Sequence, residues 1–334
     1  MKSDILNLLR KTNEYVSGQE LCERFGVSRN AVWKAIESLK KDGYEIEAVR
    51  NRGYRLVACN KDIFIKREIE ALLLGSESSH KVVFYSETGS TNSDAKLMAE
   101  EGEQDGLLVV ADSQNSGRGR RGRSWVSPPG KNAYFSLMLK PDISPAKGPM
   151  VTLLMALSVA LGVKGLMPKK ESEELPDVGI KWPNDVVING KKICGILTEM
   201  SMENSFIHYI VIGVGINVKK QEFEGEISKI ASSIDNEWDT NTYRSALVAN
   251  IIRYFDEFYK EYLERGDLSG IKDKYEELLV NKGREVMVLD PKGEYTAKAL
   301  GIDENGQLMV ERTDGKLEAI YAGEVSVRGV YGYI

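Results

Sequence analysis

The first sixty residues carry apolar side chains at helical spacing. Residues 5–9 and 28–42 each place apolar positions three or four apart, which predicts two amphipathic helices, the second of them capped by Ser28. Ser17, followed three residues later by Glu20, predicts the capped start of a short helix that lies between these two helices and runs to Phe25. Gly26 then interrupts the pattern. A helix, a glycine turn and a second helix together predict a helix-turn-helix motif.

The pattern changes to alternation after Gly43. Residues 44–49 and 53–57 predict two strands joined by the basic tripeptide Arg50-Asn51-Arg52, so the motif gains a β-hairpin wing. The candidate DNA contacts lie on the outward face of the second helix and on the wing tip: Ser28, Arg29, Asn30, Lys34, Arg50 and Arg52. The whole chain has a net charge of −5, so any nucleic-acid surface must be local. The pattern favours DNA, although a winged helix also serves protein interaction.

Strands in the central region cluster as hairpins and do not alternate regularly with helices. The predicted strands are 81–85, 107–114, 132–140, 179–188, 191–199 and 206–218. The predicted helices are 66–74, 91–101, 150–167, 243–265 and 268–279. Asn189-Gly190 is a favoured hairpin turn, and the polar segment 219–240 predicts a mobile loop. This arrangement indicates a mixed or mainly antiparallel sheet with helices on it, rather than a doubly wound fold.

From Gly283 onward the hydrophobic period is two. The predicted short strands are 285–289, 295–302, 307–312, 317–322 and 325–330. Five strands in so short a segment predict a small SH3-like β-barrel. We therefore predict an α+β chain with three domains: a winged helix-turn-helix at 1–63, a central mixed-sheet domain at 64–280 and a C-terminal domain at 281–334.

Composition removes several classes of protein. No uninterrupted apolar run reaches 18 residues and the N-terminal residues lack a signal-peptide core, so we expect a cytoplasmic protein without membrane association. The three cysteines, Cys22, Cys59 and Cys194, are odd in number and lack C-x-x-C spacing, which argues against a disulfide framework or a zinc site. With only His80 and His208, a Ser-His-Asp hydrolase or a histidine-rich metal site is hard to build.

The most unusual stretch is Gly117-Arg118-Gly119-Arg120-Arg121-Gly122-Arg123-Ser124-Trp125, with four arginines and three glycines. Glycines leave backbone N–H groups accessible, and arginines match phosphate or carboxylate, so the stretch predicts a mobile anion-binding loop. It also matches G-x-G-x-x-G. However, Pro128-Pro129 follows where the dinucleotide motif requires a helix. A solvated basic turn is the remaining alternative.

A second anion-binding feature is predicted at a helix start. Ser90 or Thr91 is a suitable N-cap for the helix through Glu101, whose free N–H groups attract an anion. An ordinary capped helix has the same pattern. Together with two lysines, these groups could hold a carboxylate and a triphosphate, with Mg²⁺ shared among the phosphates. A carboxylate is already ionised at neutral pH, so a histidine-poor enzyme could use it to form an acyl-adenylate.

Three motifs in combination are specific to one family. The Gly/Arg stretch, Lys181-Trp182-Pro183-Asn184-Asp185 and Ser90-Thr91-Asn92 together resemble bacterial biotin–protein ligases. Residues 17–56 resemble the winged helix of the bifunctional subgroup, the biotin operon repressors. The resemblance covers nearly the whole chain, in the expected order. It implies a central ligase domain similar to class II aminoacyl-tRNA synthetases.

The resemblance implies a two-step reaction, in which biotin and ATP give biotinyl-5′-AMP and biotin then passes to one lysine of a carrier domain. It also implies biotin-dependent repression at operator DNA by a homodimer that forms on adenylate binding. The residues implied to bind substrates are Ser90, Thr91, Asn92, Gln114, Arg118, Gly119, Arg120, Lys192 and Asn217. Those implied to act in catalysis are Arg118, Arg120, Lys181, Asp185 and Lys192.

The family assigns these residues different parts of the ligand. Residues 90–92 are expected at the ureido end of biotin, with Gln114 lining the same pocket. Residues 118–120 are expected over the valeryl chain and phosphate, and Lys192 at the carbonyl or phosphate of the adenylate. By the same comparison, Lys181 assists with the phosphates and Asn217 with the nucleotide.

Several alternatives stay open at this point. Asp185 is a hypothetical helper for the attacking lysine amine or a Mg²⁺ contact, but it could equally fix the turn at Pro183. Trp238 could stack on adenine or simply pack. A lipoate or octanoate ligase shares this fold, although the Gly/Arg stretch disfavours it. A DNA-binding sensor that holds biotin without catalysis is the alternative from another class, and the intact arginines and lysines argue against it.

Overall fold

The computed structural model describes residues 1–12, 14–57, 61–75, 79–167, 175–290, 293–321, 326–329 and 333–334. The chain forms two compact units. The first comprises Met1–Glu77 with Tyr243–Ala249, and the second comprises Ser78–Thr242 with Asn250–Ile334. The domain boundaries expected at 63/64 and 280/281 stay predictions.

The first unit contains a helix-turn-helix and a two-stranded wing, as predicted. Its elements are α1 (Lys2–Lys11), α2 (Gly18–Phe25), α3 (Arg29–Lys41), β1 (Ile46–Val49), β2 (Gly53–Leu56) and α4 (Lys66–Leu73). Both predicted caps are present, because the Ser17 hydroxyl accepts from the Glu20 amide and the Ser28 hydroxyl from the Ala31 amide. Gly26 ends α2 with a φ of 63°, a left-handed conformation that favours glycine.

Helix α4 completes the core of this unit. The fully buried side chains on α1 and α3 include those that predicted the two helices: Ile5, Leu6, Leu9, Val32, Ile36 and Leu39. Ala71 of α4 belongs to the same apolar cluster. Glu68 of α4 accepts hydrogen bonds from Arg10 and from the Tyr44 hydroxyl. Residues beyond the wing are therefore part of the folding of this unit.

The second unit is built on a seven-stranded mixed sheet in the order β3-β4-β5-β9-β8-β7-β6. Its strands are β3 (Lys81–Tyr85), β4 (Leu107–Ala111), β5 (Asn132–Leu139), β6 (Val178–Lys181), β7 (Asp185–Ile188), β8 (Lys191–Glu203) and β9 (Phe206–Asn217). Strands β3 and β4 are parallel and the other neighbours are antiparallel. The prediction of a mixed, mainly antiparallel sheet is confirmed.

The sheet differs most from the prediction at one strand; β4 also ends three residues earlier than predicted, and β8 continues four residues further. Residues 179–188, expected to form one strand, are divided into β6 and β7 by a turn that contains the cis Trp182-Pro183 bond. The Trp182 side chain is buried and its Nε1 donates to the carbonyl of Gly306, while its backbone N–H donates to Asn281 Oδ1. Proline ends the ladder here because it lacks the N–H that a continuous strand would need.

Helices α5 (Thr91–Glu100) and α6 (Met150–Leu166) pack against this sheet, and three more helices follow in the chain: α7 (Ile234–Glu237), α8 (Arg244–Arg265) and α9 (Lys272–Leu278). The stretch Pro145–Leu166 is long and apolar enough to cross a membrane, but 72% of its most apolar window is buried inside the fold. Segment 219–240, predicted to be a mobile loop, contains α7 and pairs with Lys192: the Lys192 amide donates to the Ile230 carbonyl, and the Ser232 amide donates to the Lys192 carbonyl.

A five-stranded antiparallel sheet completes the second unit. Its strands are β10 (Glu285–Asp290), β11 (Gly293–Ile302), β12 (Leu308–Arg312), β13 (Leu317–Ile320) and β14 (Ser326–Gly329), in the order β13-β12-β11-β10-β14. The five predicted strands are confirmed.

Three features of the sequence involve residues outside the described ranges: Cys59, the segment 169–176, which its charges predict to be a surface connection, and the segment 291–293, which Pro291 and Gly293 predict to be a turn. Cys22 and Cys194 are free thiols.

Candidate active site

The start of α5 is capped by a residue from another segment. Ser90 occupies the N-cap position, but its side chain does not make the capping hydrogen bond predicted for Ser90 or Thr91. Instead, the Thr91 amide donates to Gln114 Oε1 at 2.9 Å, and the Thr91 hydroxyl lies 3.2 Å from the same oxygen. Gln114 in turn donates to the Ser127 hydroxyl. The Gln114 side chain takes the place of the local cap by accepting from the Thr91 amide, which has no acceptor within its own helix.

Asn92 is fixed within a buried polar network. Its Nδ2 donates to Glu199 Oε2 at 2.8 Å, and its Oδ1 lies 2.6 Å from the Ser136 hydroxyl. Lys96 pairs with the other oxygen of Glu199. A Cβ at Gly213 would lie 2.0 Å from Asn92 Oδ1, so glycine at that position of β9 provides the space for the amide. Asn92 is therefore held in one orientation by three elements.

The Gly/Arg stretch folds as a small hairpin. The Gly119 amide donates to the carbonyl of Arg123, and the Trp125 amide donates to the carbonyl of Gly117. Arg121 and Gly122 form its tip with φ values of 58° and 73°. The chain then continues as a β-bridge between Ser127 and Gln114, so the helix that a dinucleotide motif requires is replaced by extended backbone.

Arg120 connects this hairpin to the turn after β6. Its Nη1 donates to Asn184 Oδ1 at 2.8 Å. Asn184 is fixed in turn, because its Nδ2 donates to Asp185 Oδ1 and to the carbonyl of Ile196. Burial lowers the pKa of Arg120, with Arg121 lowering it further and Asp185 opposing the shift. Two motifs that are 64 residues apart in the sequence therefore meet at this hydrogen bond.

Asp185 and Lys192 form an ion pair beside Arg120. The Lys192 Nζ lies 2.7 Å from Asp185 Oδ1, and the Tyr333 hydroxyl donates to Asp185 Oδ2. Lys192 Nζ is also 5.5 Å from the centroid of the Trp125 ring. Both carboxylate oxygens of Asp185 thus accept contacts, and the carboxylate is oriented between a lysine and a phenol.

Lys181 is a buried cation at the end of β6. Burial lowers the pKa of Lys181 to about 8; Asp185 opposes this shift, while the positive charges of Lys192 and Arg123 add to it. The Nζ lies 3.5 Å from the centroid of the Tyr333 ring. An amine with this pKa is mostly protonated at neutral pH and loses its charge in mildly alkaline solution.

One pocket in the described part of the chain brings most of the predicted substrate-binding residues together. Its lining includes Ser90, Thr91, Asn92, Gln114, Arg118, Gly119, Arg120 and Lys192. Lys181 and Asp185 lie behind that lining, in contact with Tyr333. Asn217 is placed elsewhere: it is buried at the end of β9 and donates to the carbonyl of Ser232.

Comparison with known proteins places this pocket in a family. Residues 85–217 match the biotin/lipoate A/B protein ligase family, residues 2–55 match an HTH domain, and residues 283–328 match the biotin protein ligase C terminal domain. A Bacillus subtilis protein named bifunctional ligase/repressor BirA is 36% identical over 98% of this chain and 98% of its own length. The chain belongs to the BirA family of bifunctional ligase/repressors.

Two further relatives agree with this membership of the BirA family. An Escherichia coli protein of the same name is 30% identical over 96% of this chain and 95% of its own length. A biotin protein ligase from Aquifex aeolicus, solved in complex with biotin and ATP, is 28% identical with a TM-score of 0.62. That structure covers 75% of this chain and 99% of its own.

The BirA-type pocket also contains residues that sequence reasoning missed. They are Trp125, Asn184, Gly195, Ile196, Leu197, Gly213, Val214 and Gly215. One signal was present in the sequence, since Gly213 and Gly215 are two apart and therefore share one face of a strand. The Trp125 ring packs on that face, where a Cβ at Gly215 would lie 2.5 Å from its Nε1. Trp238, left open before, is buried.

The predicted DNA contacts of the BirA-type helix-turn-helix all lie at the surface of the first unit. Ser28, Arg29, Asn30, Lys34, Arg50 and Arg52 are exposed. The Arg29 guanidinium donates to Gln19, and Arg52 lies 4.6 Å from the ring centroid of Tyr15. Trp33, which the prediction omitted, is 54% exposed between Arg29 and Lys34 on the same face of α3.

Among the described residues, no group of three or more histidine, cysteine or acidic side chains is arranged to hold a metal ion. Asp185, the carboxylate beside Lys181 and Lys192, already contacts Lys192, Asn184 and Tyr333.

Proposed function

We propose that this chain forms biotinyl-5′-AMP from biotin and MgATP and transfers biotin to a lysine of a biotin carboxyl-carrier domain. We further propose that it represses transcription at operator DNA when the adenylate is bound. The observation that carries the ligase proposal is the single pocket in which the amide and hydroxyl groups of α5, the arginines of the hairpin and Lys192 converge. The full-length relationship to ligase/repressors supports both activities.

In the first step, the biotin carboxylate attacks the α-phosphorus of ATP and pyrophosphate leaves. The polar side chains at 90–92 bind the ureido end, and this places the carboxylate toward Arg118, Arg120 and Lys192. These cations, with Lys181 behind them, offset the negative charge that develops on the phosphate oxygens. Such catalysis depends on positioning and charge, so the scarcity of histidine is no obstacle.

In the second step, the amine of the acceptor lysine attacks the acyl carbonyl and AMP leaves. The Gly/Arg hairpin lies beside the pocket and shields the mixed anhydride from water. We assign Asp185 to orienting Lys192, because its two oxygens are already engaged by Lys192, Asn184 and Tyr333. Its role as a base for the acceptor amine, or as a Mg²⁺ contact, is the less supported alternative.

The finer structural and cellular assignments are part of the same proposal. We propose that the domain built on the seven-stranded sheet has the fold of class II aminoacyl-tRNA synthetases, and that the five-stranded sheet forms an SH3-like barrel. We also propose a homodimer that forms on adenylate binding and spans a pseudo-palindromic operator, and a location in the cytoplasm, where ATP and the operator are found.

The ligase proposal is tested by incubating the protein with MgATP and each of biotin, lipoate and octanoate. We expect adenylate and pyrophosphate from biotin, and label on a biotin-carrier domain. An adenylate from lipoate but not from biotin would identify the alternative ligase. Biotin binding without any adenylate would identify a non-catalytic sensor.

Replacing Arg29 or Lys34 with alanine is expected to weaken operator binding by about 10-fold or more, since one good base contact is worth about 1–3 kcal/mol. Electrophoretic mobility shift of a candidate operator, with and without biotin and ATP, measures the effect. Lys41→Ala removes the same charge at the other end of α3 and is the matched control. Equal effects at all three positions would contradict the proposed orientation of α3 on DNA.

The kcat/KM for ATP is expected to fall as the pH rises through about 8. The pKa of Lys181 is lowered to about 8, so its cation is present below that pH and lost above it. Because kcat/KM reports the free enzyme, it should show this titration directly. In Lys181→Arg the side chain keeps its charge throughout this pH range, so the alkaline decrease of kcat/KM should be absent. If this variant shows the same alkaline decrease, the titration belongs to another group.

Gly215→Ala is expected to weaken biotin binding by about 10-fold, since overpacking typically costs about 1–3 kcal/mol. The added Cβ would lie 2.5 Å from Trp125 Nε1, so the indole must move within the pocket. Isothermal titration calorimetry measures the affinity. Gly89→Ala is the control, since no atom lies within 4 Å of its added Cβ. Unchanged affinity in Gly215→Ala would mean that Trp125 is not fixed by this contact.

A further inference from the structure

Tyr333 joins the charged groups behind the pocket. Its ring faces Lys181, with the Nζ 3.5 Å from the ring centroid, and its hydroxyl donates to Asp185 Oδ2. The adjacent Ile334 packs near Gly190, where an added Cβ would lie 3.1 Å from its Cδ1. Gly190 forms the turn that leads into Lys192. The segment 333–334 therefore lies against Lys181 at the end of β6 and against the β7–β8 turn that precedes Lys192.

The hydroxyl of Tyr333 determines how Asp185 can point. Asp185 Oδ1 accepts from Lys192 and Asn184, and Oδ2 accepts from Tyr333. Burial raises the pKa of Tyr333, so its hydroxyl stays protonated and remains a donor. Without this donor, one oxygen of a largely buried carboxylate would lose its partner, and the carboxylate could rotate away from Lys192.

The ring of Tyr333 acts on the second lysine. Four groups influence the charge on Lys181: Asp185 and the Tyr333 ring favour the cation, whereas Lys192 and Arg123 disfavour it. An aromatic face close to a desolvated ammonium attracts it by an amount that water cannot screen fully. The Tyr333 side chain thus acts on two cations: its ring attracts Lys181, and its hydroxyl orients the carboxylate that binds Lys192.

We propose that Tyr333 is a positioning residue for this reaction: its hydroxyl holds Asp185 toward Lys192, and its ring retains the charge of Lys181 beside the phosphates. This inference rests on the proposed ligase function. It adds a residue outside the three motifs of the pocket, which neither the pocket lining nor the sequence motifs include.

Two substitutions separate the two ends of the side chain. Tyr333→Phe removes only the hydroxyl, and we expect kcat for adenylate formation to fall by about 10-fold, since the carboxylate of Asp185 loses a hydrogen bond that orients it. Because the phenyl ring stays over Lys181, the alkaline decrease of kcat/KM for ATP should move less than in a variant without the ring. Tyr333→Leu also removes the ring, so the Lys181 cation loses its attraction and the alkaline decrease should move to lower pH.

The controls distinguish this inference from loss of folding and from failure of the proposed function. Tyr321→Leu removes a 57% exposed tyrosine beyond β13 and should leave both kinetic constants unchanged. Lys181→Arg in the Tyr333→Leu background should abolish the shifted alkaline decrease. If Tyr333→Leu does not fold, the kcat of Tyr333→Phe decides alone. The inference is overturned if Tyr333→Phe keeps the wild-type kcat, or if folded Tyr333→Leu keeps the wild-type pH profile of kcat/KM for ATP. A wild-type protein that makes no adenylate overturns the proposed function instead.

Discussion

Lys192→Met is expected to slow adenylate formation by about 10²–10³-fold, the range found when one preorganised donor to a developing charge is removed. Methionine keeps most of the length and volume of the stem while removing the ammonium. Lys192 lines the pocket, and its Nζ is held 2.7 Å from Asp185 at a fixed position beside the Trp125 ring. Single-turnover measurement of pyrophosphate release with saturating biotin and MgATP gives the rate.

The neighbouring lysine provides the control for this substitution. Lys191 is 48% exposed in its side chain and faces Glu237 at 3.7 Å, so Lys191→Met removes the same charge outside the pocket. We expect its rate to stay within about twofold of wild type, as surface substitutions usually have small effects. A similar loss in both variants would indicate a general effect of net charge, and a normal rate in Lys192→Met would remove Lys192 from the reaction.

The elements of this fold could be predicted because their signals are local. Ser17 and Ser28 cap helices through amides three residues away, so the sequence alone identifies both helix starts. The Asn189-Gly190 turn likewise adopts positive φ at both residues, as such dipeptides favour. The motif residues at 90–92, 118–120 and 192 were placed in one pocket by resemblance to a family, not by any local pattern.

The remaining parts of the site depend on contacts between distant segments. Gln114, 23 residues from Thr91, caps α5 in place of the expected local side chain. The sequence around Ser90 gives no sign of this replacement. The Tyr333 hydroxyl reaches Asp185 across 148 residues, and Trp182 reaches Gly306 across 124. Side chains of these types occur in many surroundings, so periodicity and propensity contain no information about which partner each one meets.

The Gly/Arg stretch combines both kinds of information. Its composition predicts an anion-binding loop, and its glycines allow the tight tip at Gly122. Its attachment to the rest of the site depends on Asn184, which sits in a separate motif. The hydrogen bond between Arg120 and Asn184 therefore joins the hairpin to the β6–β7 turn, a contact that the composition of the stretch does not reveal.

Arg120→Ala is expected to release biotinyl-5′-AMP about 10–100-fold faster than the wild type, because it removes both a cation beside the phosphate and the 2.8 Å hydrogen bond to Asn184. The free adenylate would then acylate exposed lysines on any nearby protein. Incubation with biotin, MgATP, a carrier domain and excess serum albumin measures the selectivity of labelling, and rapid dilution measures the release rate.

Arg121→Asn is the matched control, because position 121 is exposed and has a φ of 58°, which asparagine tolerates. Wild-type labelling selectivity in Arg120→Ala would show that the hairpin retains the adenylate without the Arg120 side chain. An equal loss of selectivity in both variants would attribute retention to the total charge of the hairpin.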